Sequence, residues 1–199
     1  MTVHLNELSD DLSLSSAPLG RVDVPRRPGV YRNFIKRPLD VFAIVLSSVV
    51  VVPVVLLLAL LVARDGHAPF YTSDRVGRYG RTFRMLKLRT MVPDADAQLE
   101  RYLAENAEAR AEWETTQKLK NDPRITRLGR FLRKSSLDEL PQVWNVLIGD
   151  MSIVGPRPMM PAQRIRYHGL AYYALRPGLT GPWQVSVRNE SNFSKRCEF

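Results

Sequence analysis

Two adjacent carboxylates, Asp138 and Glu139, stand in the run Ser136-Leu137-Asp138-Glu139-Leu140-Pro141 and have the greatest chemical potential in this chain. Val143, Trp144, Leu147 and Ile148 continue the run at helical spacing, so the pair falls in the first turn of a predicted helix. The positive end of a helix favours ionised acids and, with arginines nearby, suits a pyrophosphate. Adjacent Asp and Glu can share a divalent cation there, or one can attack while the other orients. A structural reading of the same residues stands beside this one. Ser136 and Glu139 have capping-box spacing, in which the glutamate only satisfies the helix start.

A second candidate is Arg157, in Gly155-Pro156-Arg157-Pro158. Glycine and two prolines stiffen the backbone around one guanidinium, which suits bidentate phosphate contact; a solvated turn arginine is the alternative. Another stiffened loop, Arg176-Pro177-Gly178-Leu179-Thr180-Gly181-Pro182-Trp183, offers an indole that could stack on a base, sit at a membrane interface or fill a core. No Gly-x-x-x-x-Gly-Lys-Ser/Thr loop is present, which argues against a P-loop nucleotidase. His4, His67 and His168 are too scattered for a His-based metal site. The single Cys197 allows neither an intrachain disulfide nor a thiolate cluster.

These residues need elements to position them, and the most prominent is an uncharged run of 23 residues, Val41 to Ala63. It is long enough to cross a bilayer core, for which ~20 apolar residues suffice. Arg26, Arg27, Arg32, Lys36 and Arg37 precede it, and Arg64, Arg75, Arg78, Arg81, Arg84, Lys87 and Arg89 follow. Basic flanks tend to stay cytoplasmic, and a single spanning helix cannot keep both there. Pro53 lies near the middle, where it removes a donor and clashes with the carbonyl of Val49, so the helix can enter, bend and return. An ordinary spanning helix with a tolerated proline is the other reading. Asp40, just before the run, is a candidate cap. No secretory signal is expected, because the run starts too late and is too long.

Residues 1–30 read as an unstructured tail. Residues 66–92 mix glycine, aromatic and basic residues and predict short strands and turns. Residues 94–120 predict one polar helix, with Leu99, Tyr102 and Leu103 at helical spacing. Ile125, Leu128, Phe131 and Leu132 place one apolar face on a basic helix over 124–134, which would lie in the membrane interface or pack on the core. The chain of 199 residues carries a formal charge of +9 and a pI near 10.0. That excess fits an anionic partner such as nucleotide phosphates or lipid head groups. The basic residues flank the apolar run and form no nucleic-acid reading motif, so no nucleic-acid partner is expected.

Taken together, several stretches resemble the bacterial sugar transferase family, the monotopic phosphoglycosyl transferases that load the first sugar of a surface polysaccharide. They are Lys36-Arg37-x-x-Asp40, Arg75-Val76-Gly77, Lys87-Leu88-Arg89-Thr90-Met91, Asn121-Asp122-Pro123-Arg124-Ile125-Thr126, Ser136 to Gln142, Gly149 to Pro158 and Arg176 to Gly181. The insert ending at Leu119, with Arg188-Asn189-Glu190, most resembles exopolysaccharide-priming galactosyl-phosphate transferases. Val52-Pro53 stands where the family usually has Ser-Pro. Val187 replaces a family glycine, and the C-terminus is shorter than the family's.

The resemblance implies transfer of hexose-1-phosphate from a UDP-sugar, galactose before glucose, to undecaprenyl phosphate, with release of UMP. It implies Asp138 as nucleophile, Glu139 as its partner in holding Mg²⁺, and Arg157, Lys87 and Arg89 as phosphate-binding cations. The implied fold is mainly α with a small α/β portion: a monotopic membrane protein with one Pro-bent re-entrant helix and amphipathic interfacial helices. A tail (1–35), a membrane helix (36–64) and a catalytic domain (65–199) follow one another, the last on the cytoplasmic face of the bacterial inner membrane. A homodimer fits this expectation. A nonenzymatic, membrane-attached basic adaptor is the rival function.

Overall fold

A computed structural model describes Val22 and residues 29–116, 118–167 and 170–182. Most of the expected tail, Trp183, Val187 and the Arg188-Asn189-Glu190 stretch lie outside the described residues. The described chain is mostly helical, with two small two-stranded sheets.

The apolar run forms helix α1, Lys36–Val62, preceded by a π-helical turn Tyr31–Ile35 and followed by a 3₁₀ turn Ala63–Asp65. Helical structure therefore begins before residue 36, inside the expected tail. Gly66, at φ 82°, ends the rod in the left-handed conformation that glycine adopts without strain. α1 is long and apolar enough to cross a membrane. Leu46, Val49, Val50 and Leu60 are among its large side chains left bare, each worth ~1.5–3 kcal/mol on leaving water.

Pro53 does not interrupt α1. The Ser47 and Ser48 hydroxyls donate to the carbonyls of Ile44 (3.0 Å) and Val45 (2.6 Å), so neither serves Val49, whose partner Pro53 removes. Asp40 corrects the expected cap. It lies one turn inside α1, paired with Lys36 at the i,i+4 spacing.

Strands β1 (Phe70–Val76) and β2 (Thr82–Leu88) form a hairpin closed by a 3₁₀ turn, Arg78–Gly80. The predicted polar helix is two helices, α2 (Ala95–Glu105) and α3 (Ala107–Thr116). Asn106 separates them with extended backbone, and its side chain accepts from the N–H of Ala109 at 3.0 Å. A short amide side chain competes with the helix in this way and caps the next one.

The basic helix α4 spans Arg127–Ser135 and starts at Thr126, whose hydroxyl accepts from the N–H of Gly129 at 2.8 Å. The expected apolar face splits. Ile125 precedes the cap and bridges Met91 instead, and Phe131 is exposed. Leu132 is fully buried with Leu58, Ala59 and Val62 of α1 and Leu88 of β2, flanked by Leu128 and Leu137. A 3₁₀ helix Leu137–Gln142, helix α5 (Val143–Ile148), strand β3 (Ser152–Val154), a 3₁₀ turn Pro161–Arg166, helix α6 (Ala171–Ala174) and strand β4 (Gly178–Thr180) follow among the described residues.

The chain divides into two compact units. One holds Ile44–Thr72 and Leu86–Trp144, with the core just described. The other holds Met1–Ala43, Ser73–Met85 and Asn145–Phe199. In that second unit β3 and β4 pair in parallel, Ser152 opposite Gly178 and Val154 opposite Thr180. A separate core joins Val76, Met159, Tyr172 and Tyr173. The Tyr172 hydroxyl donates to the carbonyl of Val76 at 2.5 Å and accepts from the N–H of Met159 at 3.0 Å.

Candidate active site

The acidic turn owes its shape to Ser136. This residue ends α4 at φ 58°, a left-handed conformation uncommon for any side chain but glycine. Its hydroxyl makes no capping bond. The capping box is therefore not formed, and Glu139 has a different partner. The chain continues as a 3₁₀ helix, because Pro141 lacks the N–H that would close an α turn onto Leu137.

Asp138 and Glu139 lie in the first turn of that 3₁₀ helix, and Asp138 is 8 % exposed. Lys87 of β2 donates to Glu139 Oε1 at 2.6 Å and stands 4.0 Å from Asp138 Oδ2. One ammonium thus serves two carboxylates, hydrogen-bonded to the first and within Coulomb range of the second. Burial pushes the Asp138 carboxyl above its ordinary range; Lys87 pulls it down, and Glu139 pushes it further up. Arg133, the last arginine of α4, adds a weaker downward pull while its Nε donates to the Thr90 hydroxyl at 2.8 Å.

Residues around Thr90 brace this arrangement, a role that residue type and spacing do not signal. The Thr90 carbonyl accepts from the N–H of Thr126 at 3.1 Å. A Cβ on Gly129 would come 2.0 Å from that oxygen, so α4 approaches as closely as it does only with glycine there. The buried pair Asp122–Arg124 makes a two-donor fork, 2.9 and 2.7 Å, and the Arg124 carbonyl accepts from Val92.

Arg89 is placed differently from the phosphate-binding expectation. Its guanidinium donates to the carbonyls of Ala68 (2.8 Å), Met91 (3.1 Å) and Val62 (3.3 Å) and to Asp65 Oδ1 (2.7 Å). These bonds fasten the end of α1 to β2. Lys87, Asp138 and Glu139 are therefore brought together, with Arg89 acting on the membrane helix. Arg157 belongs to the other unit, exposed on the loop after β3.

The donor set suits Mg²⁺ in one form. A Mg²⁺ held through one or two carboxylates takes its remaining ligands from substrate phosphates and water. Asp138 and Glu139 would be that pair, and among the described residues no third His, Cys, Asp or Glu joins them.

Comparison with known proteins places these residues in a wider context. The family described as bacterial sugar transferase matches residues 31–199. A UDP-galactose-lipid carrier transferase of Erwinia amylovora is 49 % identical over 84 % of this chain, and an undecaprenyl-phosphate galactose phosphotransferase of Salmonella typhimurium is 47 % identical over the same share. The chain spans only 35 % and 36 % of those two proteins. An exopolysaccharide production protein of Sinorhizobium fredii is 43 % identical over 88 % of this chain and 80 % of its own length.

Proposed function

This chain belongs to the bacterial sugar transferase family, and from that premise we propose that it moves a hexose-1-phosphate from a UDP-sugar to undecaprenyl phosphate. Galactose is the favoured sugar, given the names of the relatives at 49 % and 47 % identity, with glucose next. The observation that carries the reading is the buried Asp138, held beside Glu139 and 4.0 Å from Lys87 on a strained turn. A lone solvated acid would need no such frame.

The proposed chemistry has two displacements. An Asp138 carboxylate oxygen attacks the β-phosphorus of the UDP-sugar, the bond from that phosphorus to the bridging oxygen breaks, and UMP leaves with the electron pair. A phosphate oxygen of the lipid acceptor then attacks the same phosphorus and breaks its bond to Asp138, giving a lipid-linked diphosphosugar and the free carboxylate. Phosphoryl transfer needs positioning and charge neutralisation above all. Burial concentrates the Asp138 charge, Lys87 offsets the growing negative charge, and Arg157 binds a substrate phosphate. Asp138 and Glu139 would hold Mg²⁺, which when bound neutralises the diphosphate.

One substrate is anchored in lipid, so the site must face a membrane, and we place the catalytic domain on the cytoplasmic side of the inner membrane. Both ends of α1 support a re-entrant path. Near its start, Lys36 and Arg37 bond to Ser152, Val146 and Leu147; near its end, Leu58 and Val62 pack on Leu132. Each end of α1 is thus fastened within the protein, and the basic residues that flank it on both sides, with Pro53 near its middle, support a path that enters and returns on one face. Single cysteines at Val30 and Ala104, in a Cys197→Ser background, should both resist an impermeant thiol reagent outside intact cells; labelling at Val30 alone means a spanning helix.

The chemical test uses UDP-galactose, then UDP-glucose, with Mg²⁺ and no acceptor. A phosphosugar should remain on the peptide containing Asp138, visible by mass, with one UMP released per site. An adduct on another residue, or turnover in Asp138→Asn, would refute the mechanism.

A further inference from the structure

Lys36 and Arg37 read in the sequence as basic flanks of the apolar run, and their contacts point inward. Lys36 Nζ lies 2.5 Å from Asp40 Oδ1 and donates to Ser152 Oγ at 2.8 Å. The Ser152 hydroxyl in turn donates to Asp40 Oδ2 at 2.6 Å. Asp40 and Ser152 are both buried. This is a closed network of three groups in which every charge is matched, and it lies between the first turn of α1 and the first residue of β3. Arg37 strengthens the same junction by donating to the carbonyls of Val146 and Leu147, the second at 2.7 Å.

Ser152 begins a path with no slack. Its N–H donates to the carbonyl of Pro177 at 2.9 Å, Gly155 N–H to Thr180 at 3.0 Å, and Gly178 N–H to Pro156 at 2.8 Å. A Cβ on Gly155 would meet the Arg176 carbonyl at 2.3 Å, so the two backbones are in direct contact. Pro156 and Pro158 then fix φ on either side of Arg157. Between Ser152 and Pro156 the backbone is held at Ser152, Gly155 and Pro156, and the side chain of the first of these is anchored to the apolar helix.

We infer that Lys36, Asp40 and Ser152 form a strut through which the first turn of the apolar helix positions Arg157. They are positioning residues and touch no substrate. The kinetic consequence rests on the proposed phosphate contact of Arg157; the placement of residue 157 does not. The strut ties the geometry of the phosphate-binding loop to the seating of α1, so an enzyme whose helix is displaced would lose grip on its anionic substrate before it lost its carboxylates.

Ser152→Ala is the sharpest perturbation, since it deletes the shared hydroxyl and leaves the Lys36–Asp40 pair. In lipid nanodiscs it should lower kcat/KM for the UDP-sugar by roughly tenfold, the scale of a sub-ångström misplacement. In an Arg157→Lys background the same change should cost less than about twofold, within ordinary additivity. Ser152→Thr, which keeps the hydroxyl, should restore most of the loss. Equal losses in both backgrounds would overturn the strut, because a stability defect does not depend on residue 157.

A second arm bypasses activity. A nitroxide attached after Arg157→Cys, with Cys197→Ser, should be immobile with Ser152 present and mobile after Ser152→Ala or Asp40→Asn. Identical spectra would overturn the inference. If Arg157→Lys is itself silent in turnover, the phosphate role of Arg157 falls, and the spectra still decide the strut.

Discussion

Asp138→Asn should make the enzyme inactive and more stable at the same time. The argument starts from a competition of charges. An attraction of ~4 kcal/mol is the scale for unit charges 4 Å apart near a protein surface, and Lys87 is 4.0 Å from Asp138. Removing a carboxylate from water costs several kcal/mol, and Lys87 is already hydrogen-bonded to Glu139. Burial is the largest influence on Asp138 and the net displacement of its pKa is upward, so desolvation wins. A carboxyl raised in the folded state stabilises the fold below its unfolded pKa of about 3.9, and that contribution is lost as pH climbs through the folded value. At pH 7 the ionised side chain therefore works against folding.

Asparagine keeps the shape and removes the charge. At pH 7 it should add about 1 kcal/mol, or ~2–4 °C in Tm for a chain of this size. The gain should shrink as pH falls through the raised folded pKa and the parent carboxyl takes up its proton. UMP release should meanwhile drop by at least ~10³-fold, because the attacking oxygen is gone. Thermal melts in nanodiscs at pH 7 and pH 4, beside single-turnover UMP release, read both effects. A lower Tm at pH 7 would show that the charge supports the fold, and a gap that ignores pH would show that its protonation is irrelevant. Either result refutes the reasoning.

Lys87→Met should reduce UMP release by about 10²–10³-fold, the scale for loss of one stabilising group at developing charge. It should also move the acidic limb of the pH–rate profile to higher pH, since the cation that lowers Asp138 is gone; an unmoved limb would exclude that coupling. Arg89→Ala removes bonds to three carbonyls and to Asp65. It should lower stability by ~2–4 kcal/mol while kcat/KM per folded enzyme stays near the parent's, and a selective rise in KM would return Arg89 to the phosphate site. Gly129→Ala should yield little folded protein, because its methyl would stand 2.0 Å from the Thr90 carbonyl; a melting curve like the parent's would disprove that contact.

The parts of this molecule that follow from local chemistry were legible. The short strands within 66–92 and the long apolar helix sit where residue type and spacing put them, and the basic helix lies within a few residues of its expected span; the acidic pair does open a helix, but a 3₁₀ one. What escaped was set by distant partners. Glu139 has capping spacing with Ser136, yet it bonds Lys87, 52 positions away, because Ser136 adopts a left-handed conformation and its side chain caps nothing. The polar insert has helical composition throughout, yet Asn106 divides it by capping the second half. Thr90 stands in one of the family-like stretches, but residue type and spacing do not reveal its role, which comes from contact with Thr126, Gly129 and Arg133.

The basic residues around α1 show the same limit in a form that bears on topology. Counting flanking charges treats each as available to a lipid head group. Lys36 is matched by Asp40, Arg37 ends on two carbonyls, and Arg89 ends on three carbonyls and Asp65. Those charges are largely occupied in fastening the two ends of the helix, so the simple count overstates their pull on the membrane. The proposed re-entrant path then depends on attachment. Its start is held by Ser152, Val146 and Leu147, and its end by Leu132 and Arg89. Charge neutralisation at Lys36 should therefore disturb Arg157 before it disturbs orientation, whereas loosening both attachments should free the helix to span.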